Sequence, residues 1–220
     1  MIISWLLAAH ITVLGYWLGS ELVINSTYRY VCYHDELPFP DRSRLMDHVM
    51  KVDQHVRYAL ILQAGLGTAI AALYGWFPGG ETVAIAAGII AALWLAYVEV
   101  THRLRKTPVG KKLQTFDRGS RYVLMVILIA LAFGLIGGDW PMPLFLRWKL
   151  GLFAGVMASG VGIRIALLSH FRTWARMAKE GPTDETNAII RRTYWRATSV
   201  LILLWVFIAG IVVVSLWKPM

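Results

Sequence analysis

A single cysteine, Cys32, stands in 220 residues. The chain alone therefore forms no intrachain disulfide, no Cys-based metal site and no iron–sulfur cluster. Charge is also scarce: Asp, Glu, Lys and Arg make up 16% of the residues, against about 25% in ordinary soluble domains. There is no Gly-rich phosphate loop, no His-Glu-x-x-His helix and no Gly-x-Ser-x-Gly elbow. The usual signatures of nucleotide binding, zinc proteolysis and serine hydrolysis are thus missing. No internal repeat or low-complexity segment divides the chain, and one domain over residues 1–220 is the simplest organisation.

What is abundant is apolar side chain. Hydrophobic residues make up 57% of the sequence and the mean hydropathy is +0.56. A soluble domain of this size has too little interior to bury such a surplus, and a disordered chain lacks it. A membrane protein is the remaining class. A helix needs about 20 mostly apolar residues to cross a bilayer. Six stretches qualify, at residues 2–24, 58–77, 83–102, 122–138, 144–168 and 197–217, the fourth being the shortest. They are continuous rather than alternating, which excludes transmembrane strands. The sequence therefore predicts an all-α bundle of six transmembrane helices.

The formal net charge is +9, a balance that in a soluble chain points to nucleic acid. Its placement argues otherwise. All of the 22 Lys and Arg except Arg147, Lys149, Arg164 and Lys218 fall in the segments after the first, third and fifth spans. Basic loops stay cytoplasmic, so both termini are expected outside, with no nucleic-acid partner. The first span lacks a basic n-region and contains His10, so it reads as a retained helix rather than a cleaved signal.

Between spans, Asp41 follows Pro38-Phe39-Pro40 as an N-cap. Leu45, Val49, Val52 and Val56 then recur as one helical stripe. Cys32 is expected in the loop before them. Gly181-Pro182 breaks the chain again, and Thr183 or Asp184 can cap a last helix running to Trp217. Small residues mark helix contacts: Gly151, Gly155, Ser159 and Gly162 in the fifth span, and Ala84, Gly88, Ala92 and Ala96 in the third. Both stripes read first as bundle packing, and second as clearance for a flat cofactor.

Ionisable residues within spans carry most of the functional information, because each costs a few kcal/mol at depth. His10, Leu14, Trp17 and Glu21 share one face of the first helix. Lys149 and Arg164 lie towards the two ends of the fifth. His10 and Lys149 fall in the outer half, and Glu21 and Arg164 in the inner half at similar depth, which predicts a Glu21–Arg164 ion pair. His10 either hydrogen-bonds a neighbouring helix or ligates a metal or haem. Lys149 either snorkels to the interface or serves as a ligand or base. His48, His55, Glu99 and His102 read as surface or interfacial groups, and His34 and His170 as loop residues.

The stretch Ala9-His10-Ile11 through Tyr16-Trp17-Leu18-Gly19 resembles the first helix of the CopD-like superfamily. That superfamily includes copper-resistance D-type membrane proteins and HemJ-type protoporphyrinogen oxidases. Leu45-Met46-Asp47, Trp148-Lys149-Leu150 and the ending Leu216-Trp217-Lys218-Pro219 are similar to related segments in the same order. The third and fourth spans, with the basic loop between them, look like an insertion relative to the four-helix HemJ pattern. The resemblance implies a haem-binding, redox-linked protein of the bacterial inner membrane. His10 would be an axial ligand to haem b, and Lys149 a second ligand or a propionate or proton partner. Trp17 would pack against the macrocycle, and the fifth-span glycines would clear space for it. A quinone-linked electron carrier would be the partner. Copper transport, with His10 and Lys149 at the metal, is an alternative. So is a non-catalytic subunit of a larger membrane complex, for which the short outer loops and aromatic helix ends speak.

Overall fold

A computed structural model of the protein describes residues 1–218, so Pro219 of the terminal motif lies outside the described residues. Among them the chain forms seven α-helices and no strand. They are α1 (Ile2–Tyr33), α2 (Phe39–Leu73), α3 (Gly80–Arg103), α4 (Pro108–Ala132), α5 (Leu144–Ala166), α6 (Leu168–Glu180) and α7 (Asp184–Trp217). Five helical stretches are long and apolar enough to cross a membrane: α1, α2, α3, α7 and the nearly continuous α5–α6 rod.

The helix that falls short is α4, and the reason is local. Thr107 caps it by accepting from the Gly110 N–H at 3.0 Å, and Pro108 opens its first turn. Lys111, Lys112, Arg118 and Arg121 are therefore wound into the helix rather than left in a loop. At the other end the helix stops at Ala132, short of the expected 138, and the chain turns through Gly134 (φ 72°) and Gly137 (φ 66°). Arg147 fixes that stop. Its guanidinium donates to the carbonyls of Leu131 (3.0 Å), Gly137 (3.1 Å) and Gly138 (3.3 Å).

Side chains of α1, α2, α5 and α7 meet in one central cluster, built on Trp17, Ala59, Val156, Leu204 and Ile208. The other two long helices flank this core, α3 on α2 and α4 on α5, with little contact between them. Two buried glutamines tie α2 to both neighbours: Gln63 donates to the His10 carbonyl (2.8 Å) and Gln54 to the Val98 carbonyl (3.3 Å). Such bonds matter between apolar helices, where the hydrophobic effect is weak.

The two small-residue stripes part ways. On α5 a Cβ at Gly155 would lie 2.9 Å from the Phe207 ring, and one at Gly162 would lie 3.1 Å from Val200. That stripe is consumed by packing on α7. On α3 the stripe splits: Ala84 packs with Ala69 and Ala72 of α2, and further along the contact runs through Ala91, 2.6 Å from a Cβ built on Gly65. Gly88 has nothing within 4 Å of such an atom, and its face of α3 looks out of the bundle.

At about 1.5 Å per residue, α1, α2 and α7 exceed the roughly 30 Å of a hydrocarbon core. Their overhanging ends join α6 in a second layer at the basic end, around Tyr28, Cys32, Met46, Met177, Ile190 and Tyr194. Two expectations are corrected here. Cys32 is buried within α1 rather than in a loop, because no glycine or proline follows Gly19 before Pro38. Asp41 sits inside the first turn of α2, where it pairs with Arg44 at 3.3 Å, and the N-cap position is Pro38. At the start of α7, Thr183 forms the expected cap, in a reciprocal box with Thr186.

Candidate ligand site

The Trp17 and Phe153 rings meet edge to face, 6.4 Å between centroids, and so set the register of α1 against α5. Both helices run away from the terminal end. His10 lies seven residues before Trp17 and Lys149 four before Phe153, an offset of only about 4.5 Å at the helical rise. His10 Nδ1 is buried and has no hydrogen-bond partner. Its Cε1 lies 3.4 Å from where a Cβ on Gly67 of α2 would stand, so α2 leaves room for the imidazole. The Gln63 bond to the His10 carbonyl fixes the backbone behind it. In the same central cluster Trp205 Nε1 is also buried without a partner.

The same register separates Glu21 from Arg164. Glu21 is four residues past Trp17, whereas Arg164 is eleven past Phe153, a mismatch of about 10 Å. Among the described residues no ion pair joins them. Glu21, 7% exposed, accepts from Trp17 Nε1 at 3.3 Å, with Asp53 of α2 a second acid near it. Arg164 is exposed. The expected clamp is therefore replaced by a Trp17–Glu21 bond within α1. Trp17 itself, 3% exposed, is packed into the core.

The basic end holds two buried polar residues: Arg42, which the sequence pattern did not single out, and His170, expected in a loop but placed inside α6. Arg42 is 0% exposed. It donates through Nε to the Val31 carbonyl (3.1 Å) and through Nη1 to Asn187 Oδ1 (2.9 Å), with its guanidinium 5.5 Å from the Trp174 ring centre. His170, also 0% exposed, lies 3.0 Å from the Tyr28 hydroxyl through Nδ1 and stacks on Trp174 at 5.1 Å. It belongs to α6, beyond the spans. Burial, with the Arg42 charge adding to it, pushes its imidazole down to about 4. The available signal was the spacing of His170, Thr173 and Met177, which places them on one face of an amphipathic helix.

The remaining histidines are peripheral. His34 Nδ1 lies 2.6 Å from Glu36 Oε1 and holds that carboxyl below its usual range. His102 pairs with Arg105 at 2.7 Å. Among the described residues no three His, Cys, Asp or Glu side chains gather as a metal group.

No protein-family model, no curated protein and no solved structure matches the chain. The class that the fold defines is a helical bundle with several apolar helices, compatible with an integral membrane protein.

Proposed function

We propose that the chain is a six-span membrane protein with cytoplasmic basic loops and outward termini, in which His10 and Lys149 hold a haem-type redox cofactor. The observation that carries this reading is the buried, unpartnered Nδ1 of His10, at nearly the depth of Lys149. A nitrogen left without a partner in an apolar core is costly unless something binds it. The apolar run of α4, with the turn that follows it, supplies the sixth crossing. The bacterial inner membrane and a quinone-linked electron partner follow from the CopD-like resemblance.

A haem needs donors and room. The donors fit, since one imidazole nitrogen is free and a lysine lies at a similar depth on α5. The room expected along α5 does not fit, because Phe207 and Val200 fill it. Trp17 is likewise engaged with Phe153 and Glu21. The proposal therefore keeps His10 and Lys149 as the holding residues and releases Trp17 and the α5 glycines from contact with the group. When bound, such a group supplies one-electron chemistry, with its potential set by ligation and burial. The chain's own part is to fix the His10 backbone through Gln63, seat the ring against Gly67, and keep water out with the core around Trp17.

One observation favours a second reading, a subunit of a larger membrane complex. The outward face of α3 combines the open Gly88 with exposed Ile85, Ile89 and Leu93, a surface on which another helix can pack closely. An absorption spectrum of the purified protein separates the readings. A Soret band lost in His10→Ala supports haem. A colourless, metal-free protein that copurifies with partners supports the subunit. Copper by elemental analysis, lost in the same variant, supports copper transport.

A further inference from the structure

Where α1, α2 and α3 approach the basic end, they present a belt of polar groups that neither the His10 site nor the core packing uses. Tyr16 Oη lies 2.5 Å from His55 Nδ1. With the hydroxyl donating, the imidazole is held as its Nε2–H tautomer, and that N–H remains a free donor. The Tyr58 hydroxyl donates to one oxygen of Glu99, and Arg103 Nε donates to the other at 2.6 Å. A carboxylate and a guanidinium therefore stand side by side at the end of α3, each with unused hydrogen-bonding capacity.

Two grooves open from this belt onto the outside of the bundle, where lipid lies. One, of about 460 Å³, runs from Glu99 towards the middle of the spans between Leu62, Leu95 and Ala96. The other, of about 500 Å³, runs towards the basic end past Val23, Val52 and His48. Tyr16 lines both. An apolar slot thus ends in an acid, a base and a neutral donor at the level where a span leaves the hydrocarbon.

We propose that this belt binds a zwitterionic phospholipid whose head group carries a primary ammonium, of the phosphatidylethanolamine kind. The ammonium donates to Glu99, the phosphate accepts from Arg103 and His55, and an acyl chain lies along Leu62, Leu95 and Ala96. Charge complementarity selects this head group. An anionic head without an ammonium offers Glu99 only a neutral hydroxyl in place of a charged donor, and a choline has no N–H to donate. The inference requires only that the bundle sits in a bilayer, and it is independent of the His10 site.

The test is native mass spectrometry of the full chain. The protein is equilibrated in detergent with equal amounts of phosphatidylethanolamine, phosphatidylcholine and phosphatidylglycerol. Phosphatidylethanolamine is expected to be retained about tenfold over each of the others, as one well-placed charged bond allows. Glu99→Gln should bring it down to the phosphatidylcholine level. Ala96→Phe, which fills the apolar groove without touching a charge, should reduce retention of phosphatidylethanolamine. Unchanged helical circular dichroism and monodisperse elution verify that both variants are folded. Equal retention of the three lipids, a preference for phosphatidylglycerol, or an unchanged preference in Glu99→Gln would overturn the proposal.

Discussion

Arg42 carries a formal charge into a site with no solvent contact, and it is held there by neutral acceptors alone. Hydrogen bonds to charged groups contribute about 1.5–3 kcal/mol each. Asn187→Ala, which strands the guanidinium, should therefore destabilise the protein by about that amount. Arg42→Met, which removes the buried charge along with its bonds, should cost less than Arg42→Ala, since apolar replacements of buried ions are often tolerated. Thermal unfolding in detergent, followed through Trp fluorescence, ranks the three. Glu21 and Arg164 give the converse case. With about 10 Å of depth between them, the effects of Glu21→Gln and Arg164→Gln should add in the double variant to within about 0.3–0.5 kcal/mol. A larger coupling in the same unfolding assay would restore the ion pair.

For the helices, glycine decides which faces meet. Gly155→Leu and Gly162→Leu force side chains into Phe207 and Val200 and should each cost about 1–3 kcal/mol through overpacking. A Cβ on Gly88 meets nothing, so Gly88→Leu should not lower the stability of the isolated protein, as read by the same thermal midpoint. If a partner helix docks on α3, that variant should instead weaken copurification. The apolar runs of α1, α2, α3, α5 and α7 were legible in the sequence because hydrophobicity sustained over a bilayer's thickness is rare in helices that face water. Thr183 was legible as a cap because Gly181-Pro182 forces a break before it. The α4 span was not, because hydropathy does not say where a helix stops, and here Arg147 and two positive-φ glycines stop it early. Past Ala84, which does pack on α2, the α3 stripe misled for a related reason: spacing shows that small residues share a face, not which neighbour that face meets. Arg42 and His170 were illegible because their burial depends on four helix ends converging beyond the spans. Only α6 carried a local signal of it.

The whole molecule is a four-helix core with a helix strapped to each flank and a polar-centred layer at one end. That layout puts α3 on α2 and α4 on α5, outside the core. It also places the His10–Lys149 pair and the basic-end layer at opposite ends of the bundle. If the basic end is cytoplasmic, a cysteine placed at Lys106 should react with an impermeant maleimide only after the cells are opened. One placed at Asp139, on the α4–α5 turn, should react in intact cells. The buried Cys32 leaves a quiet background for that labelling. The measurement that bears most directly on function is the haem content of the purified protein in wild type, His10→Ala and Lys149→Ala, by pyridine haemochrome with protein quantified in parallel. Stoichiometric haem in wild type, its loss in His10→Ala and a lowered content or shifted spectrum in Lys149→Ala are the expected results. A haem-free wild type, or a His10→Ala variant that keeps its full haem content, would contradict the assignment of His10 and Lys149 as the working pair.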